Sequence, residues 1–437
     1  MKSAAALVRY HGSPDSLRRA IELCDGFTGL TPNDRVLIKP NLVGYDERYP
    51  MPLFGIFTTT RIVEDLIVLL KEHGARSIAV AEGSVYVKGK DAGLTTHQIY
   101  DKLGYPLLAQ RHDVELIDLM QQEFVTVEAE GWEFEVARPA LEADFLINLP
   151  VLKTHNQSKV SLGLKNLKGC LSNKSRRNAH GADHSLLQRL SLFVERITPA
   201  LTVIDGIFGL ERGPYHGSIA KRVNALVASN DPLAADCVGA ALAGLDPAEV
   251  SHLVDFAGRH GRSVALEAIE LRGDPLDSLR QRLRWDTDWR EDGSGPRVWD
   301  KLGLETAALP KYDDTLCTGC AYLYGPILLM LMSAALEGDA AATEVLTGKA
   351  MAPSGSAAHT VLVGQCMIKA NARHEAIRHA VRIRGCPPSF DAVQKGLAEC
   401  GIRVDLDAYR RLQGMVFQRY QGQPEFDPSF HYLTPRA

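Results

Sequence analysis

Across the first 300 residues, short β-branched runs alternate with longer amphipathic stretches, and this alternation constrains the fold more than any other feature of the chain. Residues 35–38 predict a strand, 60–73 a helix with Ile62, Val63, Leu66, Ile67, Leu69 and Leu70 on its apolar stripe, and 77–81 the next strand. Gly74 stands where a helix C-cap is expected. Further strands are predicted at 114–117, 145–149, 201–204 and 225–228, with helices near 97–110, 184–196 and 232–243. The fold class that follows is α/β: a mostly parallel, Rossmann-like sheet with helices on both faces, whose ligands gather at the carboxyl ends of its strands.

From about 273 to 312 the periodicity weakens and charge, Gly and Pro accumulate. The expected division is an α/β domain over 1–275, a connecting segment over 276–312, and a smaller C-terminal α/β domain over 313–437. In the last part a Met- and Leu-rich helix is predicted at about 325–347, strands at 359–363 and 380–383, and helices at 371–379 and 389–399.

The 437 residues carry 49 Lys and Arg against 53 Asp and Glu, a net charge of -4, so no global basic field favours nucleic acid. The longest apolar run, 327–336, falls short of the ~20 residues that a spanning helix needs. Arg9 interrupts the apolar start of MKSAAALVRYHGSP, so no signal peptide is read and a cytoplasmic location, without membrane partners, is expected. A Walker loop, GxGxxG after the first strand, GxSxG and HExxH are all missing from the sequence, which leaves ATP hydrolysis, standard nicotinamide binding, serine hydrolysis and zinc proteolysis without support.

Eight cysteines in a reducing compartment are not a disulfide scaffold, so their spacing decides their meaning. Cys317-Thr-Gly-Cys320 is followed by Cys366 and Cys386, each just after a short β run and each near a glycine, Gly364 or Gly385. Cluster sulfurs need main-chain approach, which Gly supplies, and Cys386-Pro387-Pro388 turns the chain sharply away. Zinc also takes four thiolates, but structural zinc favours two close pairs, and here the second pair is split by 19 residues. A 4Fe-4S cluster is the leading expectation, with zinc and structural thiols open. Cys24, Cys237 and Cys400 read as core thiols.

Between residues 153 and 184 stand five Lys, two Arg and three His with almost no acid. This basic segment, with Lys153, Thr154, His155, Lys165, Asn166, Lys168, Arg177 and His180, reads as a site for a carboxylate or phosphate. A solvated basic loop is the alternative, but Gly163, Asn166 and Gly169 interleave with the lysines and bring backbone freedom that such a loop does not need. His180 and His184, four apart, would share a metal only on a helix, and Gly181 with Asp183 speaks for a helix start instead. Lys39 and Asn41 after the first strand, Glu82 after the next, and Asp205 after 201–204 occupy the strand-end positions where an α/β fold places ligands. In this reading Lys153, His155, Lys165 and Asp205 are catalytic: the lysines hold the anion, His155 transfers the proton and Asp205 orients it.

These residues resemble the family carrying domain of unknown function 362. The resemblance runs through Lys39-Pro40-Asn41, the Asn-Leu-Pro-Val-Leu-Lys-Thr-His at 148–155, the Gly-Leu-Lys-Asn-Leu-Lys-Gly at 163–169, His180, Val-Ile-Asp-Gly at 203–206, Gly213-Pro214, Gly217, and Ala-Ser-Asn-Asp-Pro at 228–232. It covers roughly residues 30–275 and implies iron-sulfur ligands, commonly in ferredoxin-like CxxCxxCxxxCP runs. This chain departs from that pattern, and one cluster is the economical reading. The expected function is an iron-sulfur oxidoreductase acting on a small anionic substrate, since four Cys ligands leave no open iron for hydratase-type chemistry. The alternatives are a non-redox isomerase or lyase with a structural cluster, and an electron carrier without a substrate. A ferredoxin-like electron donor and self-association are the partners that this expectation admits.

Overall fold

Residues 35–40, 77–82 and 145–149 are apolar with little alternation, the pattern of strands covered on both faces. In the computed structural model, which describes residues 2–47, 50–85, 93–213, 217–336 and 342–433, they form the centre of the larger sheet. Its strands and their neighbours in the first part of the chain are β1 (Ser3–Arg9), β2 (Arg35–Pro40), β3 (Ser77–Glu82), β4 (Glu115–Asp118), β5 (Phe124–Ala129), β6 (Trp132–Ala137), β7 (Phe145–Leu149), β8 (Val151–His155), β9 (Lys159–Val160), β10 (Leu201–Glu211), β11 (Ile219–Ser229) and β12 (Ile269–Gly273). The order is β12-β1-β11-β10-β7-β2-β3-β4, with β8 and β9 branching from β10 and β5–β6 forming a separate hairpin. All pairs from β10 to β4 and the β1–β12 pair are parallel, whereas β11 runs antiparallel to both β10 and β1.

Alternate side chains of these strands enter two cores. Val36, Ile38, Val80 and Ile147 meet the helices Pro14–Leu23 and Thr60–Glu72, while Leu37, Ala81, Leu146 and Ile204 meet Leu186–Val194, Pro232–Leu242 and Ser251–Arg259. Each fully buried Leu or Ile contributes about 1.5–3 kcal/mol. The chain leaves β2 for β3 and β4 on one side and returns to β7 on the other, so the topological switch point lies between β2 and β7. There Lys39 is paired in register with Asn148.

The second sheet is wholly parallel, in the order β13 (Ala307–Ala308), β15 (Thr343–Leu346), β16 (His359–Val363), β17 (His379–Ile383). A small antiparallel pair, β14 (Ala334–Leu336) with β18 (Ile402–Val404), flanks it. The segment between the sheets contributes Leu279 and Leu283 to the first part and Trp299, Leu304 and Leu309 to the second. Beyond Gln418 the chain returns to the large sheet: Tyr420 is buried there, its hydroxyl accepts from the Ala220 amide at 2.8 Å, and Phe426 stacks on Phe208. Among the described residues no helix is long and apolar enough to cross a membrane.

Several elements differ from the sequence reading; the strand expected at 225–228, for one, begins already at Ile219. The long helix expected at 325–347 is Thr318–Ser333, after which the chain becomes extended in β14 and β15; residues 337–341 lie outside the described residues, as does Pro214. The helix expected at 371–379 is absent, and Gln365–Ala370 is helical instead. Residues 371–378 bury only Asn371, so an amphipathic face there has nothing to pack against. The helix expected at 97–110 is two, Thr96–Leu103 and Tyr105–His112, broken where Gly104 takes φ +75°. The strand expected at 201–204 runs on to Glu211, because Gly206 and Gly209 are held in the sheet rather than ending it.

Candidate functional site

Three parallel strands deliver the first residues of the site at their carboxyl ends: Lys39 from β2, Glu82 from β3 and Asn148 from β7. The Lys39 ammonium lies 2.8 Å from one Glu82 oxygen and 2.9 Å from the other, and both residues are 1% exposed. Glu82 also accepts from the amides of Leu42 (2.8 Å) and Gly83 (2.7 Å). Asn166 links the strands: its oxygen accepts from Asn41 at 2.8 Å and from Lys39 at 3.2 Å, and its amide donates to Asn148 at 2.8 Å.

The basic segment closes over this floor. Asp236, from the helix Pro232–Leu242, accepts from the amides of Gly163 (2.6 Å) and Leu164 (2.9 Å) and thereby starts the short helix Gly163–Asn166. Burial raises the Asp236 carboxyl to about 7. Gly169 permits a close approach: a Cβ there would stand 2.5 Å from the Lys39 nitrogen and 2.6 Å from a Glu82 oxygen. The result is a cavity of about 90 Å³ walled by Lys39, Glu82, Lys153, Lys165, Lys168 and Arg176, together with Asn41, His155, Ser161, Asn166 and Thr318.

Only Lys39 among these cations has a carboxylate partner among the described residues. Lys153 donates to the Asn41 side-chain oxygen and to the Ile56 carbonyl at 3.2 Å. Lys165 donates to the Ser158 hydroxyl at 3.0 Å, and Arg176 to the carbonyls of Leu171 and Gly169 at 2.8 and 2.6 Å. Lys168 lies 2.5 Å from Nε2 of His180, whose Nδ1 lies 2.7 Å from the Asp314 carbonyl. A carbonyl only accepts, so the His180 proton sits on Nδ1 and Nε2 receives the lysine hydrogen. Burial, then the neighbouring lysine charges, lowers Lys153 to about 7 and drives Lys165 well below its ordinary range. Burial, then the Arg176 charge, lowers Lys168 to about 7. His155 is driven well below its usual value by burial and by Lys165, so it is neutral; its Nδ1 accepts from the Gln157 amide at 3.1 Å, which puts its proton on Nε2.

Several residues expected in the site stand elsewhere. Asp205 is fully buried outside the cavity, where its carboxylate accepts from the amides of Thr59 (2.7 Å) and Ile207 (3.0 Å) and so anchors the start of the helix Thr60–Glu72. It does not face His155. The Thr154 hydroxyl donates to carbonyls of Leu210 and Arg284, and Arg177 is exposed. His180 stands behind Lys168, and with both ring nitrogens engaged it offers none to a shared metal with His184, which instead meets Asp314 at 2.5 Å. Arg176, Asn148 and Thr318 were not singled out by the sequence, although Arg176 belongs to the basic segment and Thr318 lies inside CxxC.

Cys317 is the N-cap of the helix Thr318–Ser333 and Cys320 lies in its first turn. A hydrogen bond from Cys320, joined by amide donors of the helix start, lowers the Cys317 thiol to about 5, and Cys320 is correspondingly raised. The charges of Cys366 and Cys386 also act on Cys320, and a Cβ at Gly364 would lie 3.4 Å from its sulfur, so the four thiols share one corner of the second sheet. Gly364 (φ +89°) and Gly385 (φ +142°) turn the chain at the ends of β16 and β17. Cys24, Cys170, Cys237 and Cys400 are buried apart, with thiols that burial raises to about 11 or 12. Thr318, between Cys317 and Cys320, lines the cavity, and Lys349 donates to the carbonyls of His180 and Arg177.

The model of the family "Domain of unknown function (DUF362)" matches residues 36–241, which span β2, β3, β7, β8 and the basic segment. The thylakoid-associated protein sll1697 of Synechocystis sp. is 30% identical over 241 residues, covering 54% of this chain and 71% of that protein. The solved lactate racemase apoprotein of Thermoanaerobacterium thermosaccharolyticum matches with a TM-score of 0.31 and 15% identity, over 51% of this chain and 54% of its own.

Proposed function

We propose that this chain, which belongs to the DUF362 family, is an iron-sulfur oxidoreductase acting on a small anionic substrate. One observation carries the proposal: Thr318, framed by Cys317 and Cys320, forms part of the wall of the cavity that holds Lys153, Lys165, Lys168 and Arg176. The basic cavity and the thiol corner therefore share a boundary.

The donor set fits a four-iron cluster better than a single zinc. A tetrahedral ion with zinc-sulfur bonds of about 2.3 Å holds its sulfurs roughly 3.8 Å apart, whereas among the described residues no three of these sulfurs come within 4.8 Å of one another. Cys317, Cys320, Cys366 and Cys386 would hold the cluster, and the helix start at Cys317 supplies the amide donors that thiolate ligands need. When bound, such a cluster supplies single electrons. Lys153, Lys165, Lys168 and Arg176 hold the anion, Glu82 fixes Lys39, and the neutral His155 presents its Nε2 proton. Cys366 and Cys386 are exposed, which gives a small ferredoxin-type donor an approach.

Anaerobic purification followed by iron and sulfide analysis, with EPR before and after dithionite, tests this reading. Four iron and four sulfide per chain are expected, with a signal lost in Cys386→Ala and kept in Cys400→Ala; one zinc and no iron overturns it. A second reading, proton abstraction beside a carboxylate with a structural cluster, draws support from Lys153, which burial leaves able to act as a neutral base. Turnover that is indifferent to cluster reduction would favour it.

A further inference from the structure

We propose that the cavity recognises a compact dianion, two negative charges on an oxygen-rich group the size of sulfate, phosphate or oxalate, in preference to a monocarboxylate or a nucleotide-sized ligand. This rests on the reading of the site as one for an anionic substrate and narrows it.

Charge is the first reason. Glu82 matches Lys39, but Lys153, Lys165, Lys168 and Arg176, between 3% and 9% exposed, have only neutral partners among the described residues. Buried charge without a counter-charge is costly, and a single negative charge leaves most of this excess in place. With all four groups protonated, as a bound anion favours, a doubly charged ligand offsets two of their four charges.

The second reason is the number of unused donors. A protonated lysine has three N–H groups. Lys153 uses two on Asn41 and Ile56, Lys165 one on Ser158, and Lys168 one on His180, so five remain among the described partners. A carboxylate has two oxygens to receive them, whereas a tetrahedral oxyanion or a short dicarboxylate has four.

Size is the third. The cavity measures about 90 Å³, far below the roughly 300–1,000 Å³ of pockets that enclose drug-sized ligands. Gly83 and Gly169 keep it small from both sides, since a Cβ at Gly83 would meet the Gly169 carbonyl at 2.5 Å.

Isothermal titration of the anaerobically prepared full chain, at constant ionic strength set with sodium chloride, tests the inference with sulfate, oxalate, acetate and AMP as probes. Sulfate or oxalate is expected to bind at least tenfold more tightly than acetate or AMP. Lys165→Met and Lys153→Met are expected to weaken that binding at least tenfold while their melting temperatures, read without anion, stay level or rise, because each removes a buried amine that has no counter-charge. Acetate binding as tightly as oxalate overturns the dianion and leaves an anionic substrate standing. AMP binding as tightly as sulfate overturns the size limit. Binding of none of the four overturns both this inference and the reading on which it rests. The ranking on the unmodified chain decides the matter even if a variant fails to fold.

Discussion

Lys153 is a cation among neutral partners, so its charge is conditional. Burial first, then the Lys39 charge, lowers it to about 7, against the pull of Glu82; Lys165 and the neutral His155 stand nearby in the same wall. A group whose folded pKa lies below its ordinary value adds stability that is fully present above that value and lost as pH falls through the folded one. The anion-free protein is therefore expected to lose stability between about pH 10 and pH 7 from this residue, seen as a falling melting temperature. An anion that binds only the charged form must bring a proton with it, so sulfate affinity is expected to weaken by up to about tenfold per pH unit above 7. Titrations in two buffers of different ionisation heat should count that proton; an affinity constant from pH 7 to 9 would refute it. Residue types were legible in the sequence where a strand end and a basic run announced them, as for Lys39, Glu82, Lys153 and Lys165. Their directions were not. In the sequence Asp205 has the same strand-end placement as Glu82, yet it lies inside β10 and its carboxylate turns to the amide of Thr59, and nothing in a local sequence window distinguishes the two.

At the scale of elements, the short helix Gly163–Asn166 depends on a carboxylate 73 residues away from Gly163. Asp236→Ala leaves two buried amides without an acceptor and is expected to cost about 2–4 kcal/mol in chemical denaturation, with Asp236→Asn, which keeps one acceptor, costing less. Gly169→Ala is expected to break the Lys39–Glu82 pair and abolish sulfate binding in the same titration, since its Cβ has no room beside either side chain. Parallel strands are legible because burial on both faces writes itself as an apolar run with little alternation, as in Phe145–Leu149, where Asn148 is the one polar residue. Strand β1 is not announced by the sequence, because Ala4, Ala5 and Ala6 favour helices as isolated residues; only pairing with β11 and β12 makes them a strand. The helix expected at 371–379 fails for the opposite reason, a local pattern with no surface to bury against.

For the molecule as a whole, ties between the two parts include two that lie far apart in the chain: the His180–Asp314 and Lys349 contacts beside the cavity, and the tail around Tyr420 on the large sheet. Tyr420→Ala is expected to cost about 3 kcal/mol in unfolding monitored on the large sheet, from lost ring packing against Phe54 and Phe426 and an orphaned Ala220 amide. Normal stability would show that the tail rests there without holding. The tie at His180 has a further consequence, in the order of synthesis. Asp314 is made 134 residues after His180, which at 5–20 residues per second is roughly 7–27 s later. In the part of that interval after Asp236 has been made, the lysine wall has neither the carbonyl that sets the His180 tautomer nor Thr318 to cover it. Ions of the surrounding solution can thus enter and leave the half-built cavity before translation supplies its last side.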